Sequence, residues 1–224
     1  MTGKPRIPRE PAALPAYADM DAPENRDQAK VLLRRQLLAT RAALAPQQRA
    51  AWDAAIGDHL LDWWRGARPA VLGVYQALRG EPDLSAAYDA LAQLGARLAL
   101  PVVVARAAPL GFAEWVPGEA LGRDQMGVAV PREVRAIECP PALLVPCLGF
   151  NADHFRLGYG GGYYDRTLAM TPRAQTLGIA YACLQADFAS APHDVALDAI
   201  VTEQSMAPMA SVASMASSLG RGRD

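Results

Sequence analysis

Short apolar runs of strand length recur along the chain: AVLGVYQA (70–77), RLALPVVVA (97–105), GFAEWV (111–116), ALLVPCL (142–148), TLGIAYA (176–182) and DAIVT (198–202). Between them lie segments of helical character. SAAYDALAQLGA (85–96) is one, with Gly95 placed to cap its C-terminus, and a stretch opening near Tyr163 and reaching Leu168 is another. Strands alternating with helices predict an α/β layer fold with a largely parallel central sheet.

Two more helices precede the first strand. In DQAKVLLRRQLLATRAAL, Leu33, Leu37 and Leu44 fall on one stripe of a 3.6-residue repeat. Ala45-Pro46 ends that helix and starts the next, since proline is tolerated in a first turn. Trp52, Ile56, Leu60 and Trp63 then predict one buried face, with the Trp63-Trp64 pair split between core and rim.

The folded unit is expected over about residues 27–204, as a single domain. Residues 1–26, rich in Pro, Ala and charge and without periodicity, read as a disordered N-terminal extension. Residues 205–224 read as a low-complexity tail whose methionines offer a docking point. No apolar run reaches the roughly 18–20 residues of a membrane span, and the first residues lack the apolar core of a secretory signal. A net charge of −1 without a long basic block speaks against nucleic acid as a partner. Cys139, Cys147 and Cys183 are odd in number and widely spaced, which disfavours a disulfide framework or zinc site and fits a cytoplasmic location.

The chemistry concentrates in RLGYGGGYYDR (156–166), where four glycines fall within five positions, Gly158 to Gly162. The loop follows the strand at 142–148 through GFNADHF and leads directly into a helix, at the edge where open α/β sheets bind ligands. Successive glycine N–H groups can form an anion-binding nest, assisted by a helix N-terminus. Asp165 can cap that helix or help hold magnesium on phosphates. A glycine-rich turn that merely passes close to the sheet is the other reading. Neither the Walker A pattern nor G-x-G-x-x-G with a distal acid is present.

Lys30, Arg34 and Arg41 fall on one side of the first helix, beside its leucine stripe. They form either a solvated basic face or a cationic wall toward a polyanion. Glu81, in the loop after the strand at 70–77, is a ligand-binding acid or the exposed part of a capping turn built on Asp83 or Ser85. Tyr159, Tyr163 and Tyr164 offer rings for stacking or for packing under the loop. Asp198 is a second carboxylate for a cation or a turn at the start of a strand. His154 is a lone loop histidine. No G-x-S-x-G and no Cys-His pair suggests a covalent nucleophile.

With these residues in view, the chain resembles the 5-formyltetrahydrofolate cyclo-ligases, also called methenyltetrahydrofolate synthetases. Four pieces carry the resemblance in order: K-x-x-L-R (30–34) with RAALAPQQR after it, YQALRGEPDL, VPCLGFNADHFRLGYGGGYYDR and DAIVTE. The resemblance implies a three-layer α/β/α sandwich of the CoA-transferase-like kind. It also implies ATP- and Mg2+-dependent closure of 5-formyltetrahydrofolate to 5,10-methenyltetrahydrofolate through a phosphorylated formyl (imidate) intermediate, with release of ADP and phosphate. The implied partners are the small-molecule folate and ATP, with the protein acting as a monomer. Lys30 and Arg34 would meet the phosphates, and Arg156, Leu157, Gly158, Tyr159, Gly160, Gly161, Gly162, Tyr163 and Tyr164 would wrap the nucleotide. Gln76 and Glu81 would bind the folate, with residues 159–163 lying between it and ATP. Asp165 and Asp198 would hold magnesium, and no residue would act as covalent nucleophile. Some cyclo-ligases carry lysine where Gly161 stands, so neutralisation here would rest more on Lys30, Arg34, Arg156 and the metal.

Overall fold

The structure, a computed structural model, describes residues 23–124 and 127–208. Residues 1–22 and 209–224, which include most of the two expected extensions, lie outside the described residues. Helix α1 spans Pro23–Ala42, and the last strand ends at Pro208.

The centre is an eight-stranded sheet. Strands β1 (Leu72–Gly73), β2 (Leu98–Val102), β7 (Ala142–Pro146), β10 (Gln175–Ile179) and β11 (Ala199–Val201) run parallel in the order β11-β10-β7-β1-β2. Antiparallel strands close both edges: β12 (Met206–Pro208) beside β11, and β3 (Gly111–Trp115) with β6 (Ala136–Ile137) beyond β2. A two-stranded ribbon, β4 (Leu121–Arg123) with β5 (Ala129–Pro131), and a hairpin, β8 (Gly149–Phe150) with β9 (Arg156–Leu157), stand outside it. The α/β expectation with a largely parallel sheet holds.

Side-chain alternation along β7 separates the two faces. Ala142 and Leu144 join a core with Leu37 of α1, Ile56, Leu60 and Trp64 of α2 (Pro46–Ala67) and Leu91 of α3 (Ser85–Gln93). Leu143 and Val145 face a second core with Phe112, Leu168 and Leu197. The layer over this second face is thin, formed by the six-residue α4 (Tyr163–Leu168) and connecting segments.

Local chemistry explains most element ends. The α3 terminus is a Schellman motif: Gly95 (φ 90°) donates to Ala92 O and Ala96 to Leu91 O, both near 3 Å. In α2 it is Trp64, not Trp63, that is buried, because Ile56, Leu60 and Trp64 keep a strict i, i+4 repeat. Arg68 then lies over the Trp64 ring at 5.0 Å. The first apolar run pairs only at Leu72–Gly73. Beyond it the chain leaves the ladder for the turn that carries Glu81.

Candidate active site

Three segments meet at the carboxyl ends of β1 and β7: the β1–α3 connection, helix α1, and the glycine loop delivered by the β8–β9 hairpin. The hairpin turn is held by Asn151. Its Oδ1 accepts the N–H groups of Asp153 and Phe155 (3.1 and 2.9 Å), and its Nδ2 donates to Phe188 O at 3.1 Å. His154 sits in that turn with φ 62°. At Gly149, a Cβ would come within 2.5 Å of Leu37 Cδ1 and 3.0 Å of Leu184 O. Only glycine lets α1 lie this close to the hairpin, and that approach brings the α1 arginines to the loop.

The first half of the loop is clasped from two sides. Arg34 Nε donates to Gly158 O at 2.8 Å. The Tyr159 hydroxyl donates to Glu81 Oε1 at 2.8 Å and accepts from Arg41 Nη2. The Tyr159 ring lies between the guanidinium groups of Arg41 and Arg79, 5.9 and 5.4 Å from its centroid. Arg79 and Gly80 both adopt left-handed backbone (φ 52° and 77°), turning the chain so that Glu81 Oε2 accepts the Leu78 N–H at 2.9 Å.

Glu81 is 4% exposed, so it is not the solvent-facing member of a capping turn; Asp83 supplies the local turn bond, to the Ser85 N–H at 3.0 Å. Burial pushes the Glu81 carboxyl above its ordinary range, opposed by the Leu78 N–H, the Tyr159 hydroxyl and the charges of Arg41 and Arg79. Burial, with the Glu81 charge beside it, pushes the Tyr159 hydroxyl up to about 12, so at neutral pH it is a proton donor.

The second half of the loop is charged and more open. Gly160 and Gly162 take φ of 92° and 64°, a conformation that L side chains rarely adopt. Arg156 Nη2 pairs with Asp165 Oδ1 at 2.7 Å and stands 5.5 Å over the Tyr164 ring. Arg166 Nη2 donates to Gly161 O at 2.7 Å and faces the Tyr163 ring at 5.3 Å. With only six residues, α4 supplies little dipole, so charge neutralisation falls to the arginines.

The remaining predicted residues divide by location. Lys30, one turn before Arg34, pairs with Asp194 at 3.1 Å. Gln76 is half-buried on the Glu81 connection, and Leu157 is a core residue paired in register with Gly149. Asp198 lies at the amino end of β11, where it accepts the Thr176 N–H and hydroxyl (both 2.8 Å) and pairs with Arg173 at 3.0 Å. None of those partners belongs to the glycine loop. Among the described residues, no group of three or more His, Cys, Asp or Glu side chains is arranged to hold a metal. A cavity of about 660 Å³ opens at the amino ends of the strands, lined by Val71, Arg97, Ile137 and Cys139. It contains none of the predicted site residues, and its one cation, Arg97, already pairs with Glu114 at 3.0 Å. Its volume therefore does not mark the chemistry.

The structure thus joins a buried carboxylate through a tyrosine to a glycine loop flanked by cations. Residues 26–203 match the 5-formyltetrahydrofolate cyclo-ligase family. The chain belongs to that family. The 5-formyltetrahydrofolate cyclo-ligase of Mycoplasma pneumoniae is 45% identical over 73 residues, a stretch spanning 32% of this chain and 43% of that relative. Under half of that protein's length is thus matched by sequence. The solved 5,10-methenyltetrahydrofolate synthetase from Mycoplasma pneumoniae aligns with a TM-score of 0.65 at 28% identity, over 78% of this chain and 98% of the other. The Aquifex aeolicus 5,10-methenyltetrahydrofolate synthetase shares the fold, with a TM-score of 0.72 at 23% identity over 87% and 96% of the two chains.

Three arginines of this cyclo-ligase family member escape assignment from sequence. Arg41 carries a signal, since helical spacing puts it on the side of Lys30 and Arg34, but nothing local shows that it is fully buried. Arg79 and Arg166 reach Tyr159 and Tyr163 through contacts that no periodicity announces.

Proposed function

We propose that this protein closes 5-formyltetrahydrofolate to 5,10-methenyltetrahydrofolate at the expense of ATP, releasing ADP and phosphate. The observation that carries this reading is the Glu81–Tyr159 hydrogen bond, which puts a buried carboxylate and the glycine loop in one site. Glu81 suits the N–H groups of the folate ring, because a buried carboxylate left without donors costs far more than one that finds them. Gln76 lines the same pocket. On the other side of Tyr159, the loop amides with Lys30, Arg34 and Arg156 suit a triphosphate.

The chemistry then needs position and charge, and no enzymic nucleophile. The formyl oxygen attacks the γ-phosphorus and ADP leaves, giving the phosphorylated imidate. N10 attacks the activated carbon and gives up its proton, and phosphate departs with the former formyl oxygen, able to carry that proton away. Holding the formyl group in line with the γ-phosphate removes much of the entropic barrier. Arginines at the loop stabilise the charge that moves onto the leaving oxygens. The donor set fits a polyphosphate but not a resident metal cage, since Asp165 and Asp198 are each engaged by an arginine and do not form a cluster. Magnesium in this reading arrives with the nucleotide, with Asp165 the carboxylate beside the loop, while Asp198, at the amino end of β11, serves Thr176 and Arg173 instead.

Mixing the protein with 5-formyltetrahydrofolate, ATP and Mg2+ should raise the near-ultraviolet absorbance of the methenyl product. Folded protein that gives no ATP-dependent rise would sink the reading.

A further inference from the structure

We infer that Arg41 is a positioning residue for the folate pocket: acting through the Tyr159 hydroxyl, it keeps the Glu81 carboxylate charged and aimed at the folate ring. The inference rests on the folate reading above and deepens it, since Arg41 touches neither proposed substrate.

Arg41 lies in the last turn of α1 and is 0% exposed. A buried guanidinium is costly unless an anion answers it, and where only packing is needed an apolar side chain serves better. Yet Arg41 takes part in no ion pair among the described residues. Its Nη2 donates to Arg79 O at 3.0 Å and to the Tyr159 hydroxyl, while Nε and Nη1 are buried without a partner. The charge is therefore not neutralised at contact. The anion that answers it is one hydroxyl away, at Glu81.

Direction in this chain of bonds is fixed by proton count. Arginine has only donors, and the single Tyr159 proton goes to the carboxylate, so the order is Arg41 to Tyr159 to Glu81. The other groups acting on or responding to Glu81 narrow the source of its stabilisation. Tyr75, Tyr88, Tyr164 and Cys147 have their ionisation pushed up by burial, so they are neutral at physiological pH. Arg79 is the second cation, but it is exposed and its field is screened by solvent. Arg41 is the unscreened one.

The test compares wild type with Arg41→Gln, Arg41→Lys and Tyr159→Phe by methenyl absorbance, varying folate and ATP separately across about pH 5 to 9. Arg41→Gln should raise the folate KM about tenfold or more while leaving the ATP KM within about threefold. The acidic limb of kcat/KM for folate should move to higher pH, because Glu81 loses a cation that favours its charged form. Arg41→Lys, which keeps the charge, should return part of that shift. Tyr159→Phe, on the exposed loop, should reproduce the folate defect without removing a buried charge, so it decides the matter if Arg41→Gln does not fold. An unmoved acidic limb with unchanged folate KM in the folded variants overturns the inference. So do equal losses toward ATP and folate at an unchanged limb, which mark a purely structural arginine. A wild type without turnover removes the folate reading and this inference together; turnover by wild type with silent variants removes this inference alone.

Discussion

Arg34 and Arg41 sit two turns apart on one helix and grip adjacent residues of the same loop, yet their surroundings differ completely. Arg34 is half-exposed and spends its Nε on a backbone carbonyl. Arg41 is sealed from solvent and linked to a buried acid. The contrast extends to the two halves of the site. On the side proposed for phosphate each cation has a partner: Lys30 has Asp194, Arg34 has Gly158 O, and Arg156 has Asp165. The Lys30–Asp194 and Arg156–Asp165 pairs are largely shielded from solvent, so phosphate oxygens would have to replace the partner each cation gives up. On the side proposed for folate the Glu81 carboxylate is desolvated, and its hydrogen bonds from Leu78 and Tyr159 fix its direction. One half is built to exchange partners, the other to hold still.

The strongest way to break this comparison is to remove the fixed half. Glu81→Ala should lower kcat/KM for folate about a hundredfold or more, because a folate donor left unpaired in a dry pocket loses a charge-assisted hydrogen bond. The ATP KM, measured at saturating folate, should change by no more than a few-fold. A variant defective only toward ATP would show that the two halves have been assigned the wrong way round.

The exchangeable half is tested by its carboxylates. Asp165→Asn should raise the magnesium needed for half-maximal rate by about tenfold, the scale of one charged ligand lost beside phosphates, and cost some stability because the largely buried Arg156 loses its countercharge. Asp198→Asn should affect stability alone, because that side chain bonds Thr176 and Arg173. The expected result is a loss of about 1–2 kcal/mol in unfolding free energy with an unaltered magnesium requirement. Magnesium titration and urea melts on the two variants separate these outcomes. A shared magnesium defect would make both residues metal-facing.

Glu81 also stores a cost that pH can reveal. Its folded carboxyl is raised above the unfolded value by burial. Between those two values the native state binds the proton and the unfolded state does not, so this group's contribution to stability falls as pH rises through that window. Glu81→Gln removes the charge and keeps one acceptor oxygen, so only one of the Leu78 N–H and the Tyr159 hydroxyl retains its bond. The variant should lose stability at neutral pH, because one buried donor is left unpaired and Arg41 loses the anion that answers it, while its stability should depend less steeply on pH above the ordinary carboxylate range. Thermal melts across pH would show it, and a pH dependence as steep as that of wild type would mean that another group titrates in this window.

How much of the molecule is legible in the chain depends on range. The α/β alternation, the leucine stripe of α1 and the Gly95 cap are local patterns, and each appears where the sequence places it. The glycine loop is equally plain, since dihedral demands are written residue by residue. Its partners are not. Tyr159 and Glu81 are 78 positions apart, and Arg41 lies 118 from Tyr159. Pairings at such separations are set by how sheet and helix pack, which no window of sequence contains. Trp63 and Trp64 both fit a helical repeat, at i+3 and i+4 from Leu60, and packing against the sheet decides for Trp64. Strand β12 uses Met206 at the edge of the sheet, where the local composition suggests only a docking segment.

The smallest expected effect falls inside the glycine loop and separates its glycines from one another. Gly161, unlike Gly160 and Gly162, is not in the left-handed region, and a Cβ there would meet only the edge of the Tyr163 ring, at 3.0 and 3.1 Å. That ring is half-buried and must yield by a few tenths of an ångström. Gly161→Lys should therefore fold normally and add a cation beside Arg34 and Arg156 on the exchangeable side. An exposed charge of this kind is worth about a two- to fivefold fall in ATP KM, vanishing as salt is raised. Gly162→Lys carries the same charge into a left-handed position and also drives its Cβ to 2.8 Å from Arg166 Nη1, so strain should outweigh attraction and ATP use should fall. Equal behaviour of the two lysine variants would mean that charge alone governs the loop and that its backbone geometry is incidental.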